Sequence, residues 1–592
     1  MDGAGGPEIV QKAQGWGLSV ETVHRVADAS AVAWDGEADL VVAGFGGAGV
    51  AAALEAAERG VEVIALDRYE GGGSTAANGG IFYAGGGTKI QKEAGEEDTP
   101  EEMYKYLKLE VGEVVSDETL RRFCNESAET VDWILKHGGK LNSKVYKKKA
   151  SYPPIDYFLF HPDSSLAAPY VKVAKPAARG HRAYTYNGKK AWGLGHAILF
   201  PMRDSAIRLG VEFHKYTEVR QLVQDASGRV IGVKAIQIPA GTVHAKRFSH
   251  YIARANWLME MLPPTFPLAS VTIALGRWYL AKAAKIEANH REVKFYRARH
   301  GVLLSSGGFV LNTPMLQHFA PKYVGAMPNG TLGDMGSGII LGASAGAKLH
   351  LMDRVSGWRF INPPKAWADG MMVNTKGERF VNESLYGASL GYAIIEEQNG
   401  KAWLVYDHAL RKQAMRQAFT GGILPFQRDV TVLNLLFATD KAPTLDALAA
   451  KMGFDAATLK RTVEDYNRAA RGEQEDRFLK LPADMVALGN GPFYATNMSA
   501  DAPLYPVAAI TMGGLQVDEW SGMVRDTSDK PIPGLYAAGR TAVGICSNIY
   551  VSGLSYADCF FSGRRVARHI SGLKQGDDSP TRRGTQGNLH MR

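Results

Sequence analysis

The 592-residue sequence is poor in cysteine. Its three, Cys124, Cys546 and Cys559, include no C-x-x-C pair, which excludes a disulfide framework and a cysteine-held zinc centre and points to a reducing compartment. No group of histidines has metal-ligand spacing; His181 and His196 stand in no special context. The formal charge of +8 is modest for this length, and no basic-plus-aromatic module accompanies it, so nucleic acid is not expected as a partner. Residues 1–35 lack a basic segment followed by an apolar one, so no secretory signal is read there and a cytoplasmic location is expected. A run able to span a bilayer is also missing. The uncharged stretch 261–276 is sixteen residues long and is broken by Pro263, Pro264 and Pro267.

What is present is a soluble globular composition, 45% hydrophobic and 22% charged, on a chain long enough for two or more domains. Residues 40–43 form an apolar run that predicts a buried parallel strand. It leads into Gly44-Phe45-Gly46-Gly47-Ala48-Gly49, an alanine-rich helix, and a second apolar strand over 61–66 that ends on Asp67. This is the strand, glycine turn, helix and strand context of a dinucleotide site. Gly44 permits the turn, Gly46 lets backbone approach a pyrophosphate, and Gly49 lets the helix pack on the strand. Gly47 and Ala48 open the helix, whose free N–H groups favour phosphate. Asp67 is expected to take the ribose hydroxyls.

After Asp67 come Arg68 and two glycine clusters, with Ser74, Thr75, Asn78, Gly79 and Gly80 in the first and Gly85-Gly86-Gly87-Thr88 in the second. Backbone of this kind suits close wrapping around a flat ligand. Residues 98–138 are predicted helical from the Thr99-Pro100-Glu101-Glu102 start. Residues 153–187 are irregular and rich in Tyr and Pro, with Tyr152, Tyr157, Tyr184 and Tyr186 as possible lining of an entrance. A helix is predicted over 197–209, and a sheet that resumes at residue 300.

Residues 244–299 interrupt this order. The uncharged centre 261–276 is flanked by Trp257, Trp278 and Tyr279, and by Lys246, Arg247, Arg254, Arg277, Lys282, Lys285, Arg291 and Lys294. Aromatic and cationic flanks suit an element lying in a membrane interface; a core helical hairpin or a dimer contact is the alternative. The element is expected to be separable, so that deleting about 246–296 would abolish liposome binding and leave a cofactor bound.

Two later motifs complete the pattern: Gly377-Glu378-Arg379-Phe380-Val381-Asn382-Glu383, read as the second strand of a short hairpin, and Gly534-Leu535-Tyr536-Ala537-Ala538-Gly539-Arg540, which is followed by Tyr550-Val551-Ser552-Gly553-Leu554-Ser555. With the glycine turn, and in this order, they make the chain resemble the flavoprotein family of fumarate reductase and the 3-ketosteroid dehydrogenases over residues 36–572. The stretch Asn78-Gly79-Gly80 through Thr88, with Gln91-Lys92, and the Tyr-x-Ser pair most resemble the Δ4-(5α)-dehydrogenases. The Tyr-Pro-Gly-Pro-Gly of the Δ1 enzymes is absent, and Ser384-Leu385-Tyr386 after Asn382-Glu383 lacks the arginine that fumarate reductases use as the acid.

The resemblance implies an α/β fold: a Rossmann-type, GR2-like FAD-binding domain, an α+β catalytic capping domain and the inserted membrane-associating segment. It divides the chain into an arm (1–36), the first part of the FAD-binding domain (37–326, with the insert 244–299), the cap (327–500), the C-terminal part of the FAD-binding domain (501–574) and a disordered tail (575–592). It implies FAD, and extends the cofactor set to Val219, Gly307, Gly308, Asp334, Gly539, Arg540, Gly553, Leu554 and Ser555. A steroid is the implied substrate, a quinone or carrier protein the electron acceptor, and 246–296 the membrane contact.

The implied reaction removes two hydrogens beside a ketone, which needs a hydride acceptor (flavin N5), a base for the α proton and donors to the ketone oxygen. By position, Tyr386, Tyr550, Ser552 and Gly553 carry it, with a phenol drawn toward ionisation as one possible base. The residues leave open which hydroxyl takes the proton. A Δ1-dehydrogenase or a flavin ene-reductase is the alternative on the same scaffold; a non-catalytic flavin module is opposed by the intact cap hairpin and the Tyr-x-Ser pair.

Overall fold

Five strands run parallel through the centre of the protein, in the order Glu212–His214, Val63–Leu66, Gly36–Ala43, Glu292–Leu304 and Pro531–Ala537. The chain is described by a computed structural model over residues 7–184, 195–260, 269–489 and 491–576. The middle strands of this sheet are buried on both faces and so read as hydrophobic runs; Leu40, Val41 and Val42 are all fully buried. The thirteen-residue strand Glu292–Leu304 joins two halves. Its first part pairs antiparallel with Val230–Gln237, and its last residues pair parallel with Leu535, Tyr536 and Ala537. Met523–Arg525, Thr217–Gln224 and His24–Arg25 complete nine strands.

On one face, the glycine-turn helix (Gly47–Glu58) packs against the C-terminal helix (Leu554–Lys574). Small residues permit it: a Cβ on Gly563 would lie 2.4 Å from the Ala48 carbonyl oxygen. The buried Glu55 is held there by Arg564 (2.8 Å) and Arg568 (3.1 Å). The predicted helices after Thr99 form as Pro100–Val111 and Asp117–Lys136, capped by Thr99 and Ser116 and parted at Gly112, whose φ is 60°.

A separate four-stranded sheet, Met371–Val373, Trp403–Asp407, Phe493–Asn497 and Thr439–Ala442, has its own core under the helices Leu445–Met452 and Ala456–Ala470, capped by Thr444 and Asp455. Here the short hairpin expected around Thr375-Lys376-Gly377 closes with a single bridge, Val373 to Arg379. The physical reason is charge. Arg379 binds Glu383 (2.7 Å) and Asp476, Glu383 also takes Lys480 (3.0 Å), and this buried cluster draws the second segment out of the sheet.

Two further expectations meet a different structure. The N-terminal arm contributes a helix (Pro7–Gly15), whose Ile9, Val10 and Ala13 are buried, and an edge strand. The insert is two antiparallel helices, Val243–Glu260 and Ala269–Asn289, and it ends at Glu292 because residues 292–299 already belong to the central strand. No helix among the described residues is long and apolar enough to cross a membrane. Residues 261–268 of the insert, Tyr186 and the tail 577–592 lie outside the described residues.

Candidate functional site

A cavity of about 650 Å³ runs along the carboxyl ends of the parallel strands, where open α/β sheets hold their ligands. The glycine turn forms its floor: Gly44, Gly46, Gly47 and Ala48 line it. Gly49 does not; its role is packing, since a Cβ there would stand 2.1 Å from the Gly44 oxygen and 3.1 Å from Val42 Cγ1. At Gly46 a Cβ would meet nothing nearer than the Gly72 oxygen at 3.7 Å. The turn is therefore closed toward the sheet and open toward the cavity, and the helix Gly47–Glu58 begins there.

Asp67 lines the cavity, but its oxygens first accept the backbone N–H of Phe45 and of Tyr69, both at 2.8 Å. Besides facing the cavity, where it is expected to take the ribose hydroxyls, it braces the glycine turn. Burial pushes its carboxyl up against these two N–H donors, which pull it down. Arg68 also lines the cavity, yet its guanidinium is engaged by Glu287 (3.0 and 2.9 Å) and Glu218 (3.3 Å). Val219, Thr75 and Asn78 are on the wall, with the Thr75 hydroxyl accepting the Gly47 N–H at 3.3 Å. Gly80 donates to the Asn78 side chain (2.8 Å), and a Cβ on Gly79 would collide with the Tyr152 hydroxyl, so these two glycines serve the wall from behind.

Midway, Asp334 is a hub. It accepts from Ser74, Thr331 N (3.0 Å), Gly308 N (3.1 Å) and Arg540 (2.8 Å). Ser74, Gly307, Asp334, Gly539 and Arg540 line the cavity, while Gly308 packs behind it against Thr511. The second guanidinium nitrogen of Arg540, Nη1, is buried without a protein partner, and so is Nε1 of Trp358; both residues line the cavity. A glycine turn open at Gly46, a helix N-terminus and unpartnered buried donors fit a long anionic ligand with carbonyl groups, and FAD is such a ligand.

At the far end the loop before the C-terminal helix brings the expected catalytic residues together. Tyr550 and Ser555 line the cavity. Gly553, at φ 84°, donates its N–H to the Tyr550 hydroxyl at 3.2 Å. Tyr386 comes from the cap, buried, with its phenol against the Ser552 hydroxyl and its N–H on Ser164 Oγ (2.9 Å). Ser552 and Leu554 are buried beside them. Trp358 packs on Tyr550 (4.9 Å), and Phe360 on Tyr386 (5.9 Å). Burial raises both phenols, and the proximity of the two rings raises Tyr386 further; the Ser552 hydroxyl and the Gly553 N–H oppose this. Burial thus favours the protonated form of both phenols. They are suited to hand a proton along a relay.

Of the aromatic residues expected at the entrance, Tyr152 packs on Phe426 (6.0 Å), Tyr157 on Tyr146 (5.3 Å) and Tyr184 on Phe158 (5.4 Å). Sequence reasoning missed Leu18, Ser19 and Val20 of the arm, Phe248, Ile252 and Asn256 of the insert, and Trp358. None lies in a motif; only the periodicity of the insert's first helix carried a signal. No group of three or more His, Cys, Asp or Glu is placed to hold a metal among the described residues.

Comparison with known proteins gives a consistent result. The family model described as FAD binding domain matches residues 39–553. A 3-oxo-5-alpha-steroid 4-dehydrogenase of Comamonas testosteroni is 34% identical over 528 residues, 88% of this chain and 96% of that protein. A 3-oxosteroid 1-dehydrogenase of Mycolicibacterium smegmatis is 27% identical over 87% of this chain and 93% of that protein. The crystal structure of the 3-ketosteroid-delta4-(5alpha)-dehydrogenase of Rhodococcus jostii RHA1, in complex with 4-androstene-3,17-dione, superposes with a TM-score of 0.74 at 28% identity, covering 93% of this chain and all of that one.

Proposed function

The chain belongs to the FAD binding domain family, and from that premise we propose that it is an FAD-dependent 3-ketosteroid dehydrogenase that forms the Δ4 double bond of 3-keto-5α-steroids or sterol-derived ketones. The observation that carries this reading is the meeting of Tyr386, Ser552 and Gly553 around Tyr550, which lines the same cavity as the glycine turn.

FAD, when bound, supplies the hydride acceptor for the reaction. The chain supplies the proton path and the polarisation. The Ser552 hydroxyl lies beside the Tyr386 phenol, and such a pair can take a proton at one hydroxyl while releasing another, which is how a group with a high pKa serves as a base. Tyr550, fixed by the Gly553 N–H, offers its own proton toward the cavity. A donor at the ketone oxygen stabilises the enolate that forms as the α proton leaves. The aromatic wall of Trp358 and Phe360 presents an apolar surface to a steroid and keeps water from the proton path.

The insert fits a peripheral membrane contact, which would serve a substrate that partitions into lipid. Trp257 (56% exposed), Trp278 (48%), Val271 (61%) and Leu275 (45%) project from the hairpin, and Lys282 lies 3.7 Å over the Trp278 ring. A quinone or a carrier protein is the proposed electron acceptor, and the cytoplasmic face of the membrane the proposed location.

Incubation of the holoenzyme with a saturated 3-keto-5α-steroid and an artificial electron acceptor, followed by product identification, tests the reading. A 4-ene product is expected; a 1-ene product would move the assignment to the Δ1 reaction of the 27% identical relative.

A further inference from the structure

We propose that the helical insert is a wall of the cofactor site, closing the adenosine end of the FAD cavity, and not a detachable appendage. The inference rests on the FAD assignment and is independent of where the steroid is oxidised.

The first helix of the insert, Val243–Glu260, turns one stripe toward the cavity: Phe248, Ser249, Ile252, Ala253 and Asn256 all line it. Their spacing of three to four residues places them on one helical face. The opposite face carries Arg247, Arg254 and Trp257, all exposed. The stripe meets the cavity beside Tyr69, Glu70 and Tyr216, next to Asp67 and Val219, where the glycine-turn geometry directs the AMP half of a dinucleotide. Phe248 is 1% exposed, with its ring parallel to Tyr69 at 6.4 Å and edge-on to Tyr216 at 5.5 Å. Ile252 and Ala253 offer apolar surface for a purine face. The Asn256 amide can present an N–H donor beside its carbonyl acceptor, the pair that the edge of adenine matches.

A second observation holds the hairpin in this place. Arg68, the residue after Asp67, makes two hydrogen bonds to Glu287 of the insert's second helix; Arg291 bridges Glu287 (2.9 Å) and Glu218 (2.7 Å), and Glu218 precedes Val219 on the cavity wall. On the first helix, Ser249 donates to Glu70, which also accepts the Tyr216 hydroxyl at 2.8 Å. Both helices are thus tied to the segment 67–70, and this segment lines the same end of the cavity. A surface paddle evolved only for lipid needs no such ties to the nucleotide wall.

The test is the affinity of the apoprotein for FAD and for FMN, which lacks the AMP half, measured by quenching of flavin fluorescence. The double variant Ile252→Ala/Asn256→Ala is expected to raise the Kd for FAD at least about tenfold, equivalent to about 1.4 kcal/mol, and to leave the Kd for FMN unchanged. Replacing residues 240–289 by a short glycine turn is expected to weaken FAD at least about a hundredfold; Gln237 and Glu292 are already paired across the base, so the strands can close. FAD affinity within twofold of wild type in the double variant overturns the proposal whether or not the deletion folds. Equal losses for FAD and FMN also overturn it, since they would show a general defect. Wild-type apoprotein that takes up neither flavin overturns the cofactor assignment itself, and this proposal with it.

Discussion

Exchanging Gly46 and Gly49 separately for alanine should divide cofactor binding from folding, although the two stand three residues apart in one motif. At Gly46 the backbone has φ −86° and ψ −157°, which alanine adopts without strain, and the added methyl finds only the Gly72 oxygen at 3.7 Å. The apoprotein should keep its stability or gain a few tenths of a kcal/mol from the stiffer unfolded chain. The methyl would, however, occupy the space through which a pyrophosphate approaches the turn. Losing one charge-assisted N–H bond costs about 1.5–3 kcal/mol, so FAD affinity should fall about 10- to 150-fold. At Gly49 the same methyl would lie 2.1 Å from the Gly44 oxygen, against an ordinary C···O approach of about 3.3 Å. The helix must then move about 1 Å off the strand, at a cost of about 1–3 kcal/mol or more. Thermal unfolding of both apoproteins and flavin titration read the two effects. If Gly46→Ala bound FAD like the wild type, the cofactor phosphate would not lie against this turn. If Gly49→Ala melted like the wild type, the close helix–strand contact would be wrong.

Tyr550→Phe and Ser552→Ala should each lower kcat by about 10²–10⁴ with flavin absorbance intact; rates within tenfold of wild type would remove them from the proton path. Glu110 is buried, and burial raises its carboxyl from 4.5 to about 7 despite the Tyr106 hydroxyl bonded to it at 2.7 Å. Because the folded value exceeds the unfolded one, folding holds a proton between pH 4.5 and 7, and stability falls as pH rises through this window by about 3 kcal/mol. Glu110→Gln should flatten that fall and melt above the wild type at pH 8; parallel melting profiles would refute it. Glu55 is the opposite case: burial opposes its charge, but Arg564, Arg568 and Arg59 bring it down to about 2. Its contribution is complete above pH 4.5 and lost toward pH 2, and Glu55→Gln should cost about 3 kcal/mol at neutral pH, the size of that shift, while Arg564 and Arg568 keep Glu129 and Glu126. Finally, Trp257→Ser/Trp278→Ser should reduce flotation with anionic liposomes severalfold without changing FAD affinity; undiminished flotation would dispose of the membrane contact.

The glycine turn, the strands around it and the caps at Thr99, Ser116, Thr444 and Asp455 are legible because each is decided within a few residues. A positive φ, a helix start or a run of apolar side chains needs no distant partner. The segment following Arg379 shows the limit of that reasoning. Its sequence suits a strand, but Asp476 and Lys480, about a hundred residues on, claim Arg379 and Glu383 and leave one bridge.

The site divides in the same way. Sequence alone determined the glycine turn whose Gly44, Gly46 and Gly47 line the cavity, and the order of three motifs identified the family, because these depend on local backbone shape. Only the tertiary structure decided what surrounds them. Asp67 turns to the N–H groups of Phe45 and Tyr69, Arg68 to Glu287, and the arm and insert line a cavity that no motif in them announces. A buried charge takes whichever partner the fold brings nearest, and that partner can lie two hundred residues away along the chain.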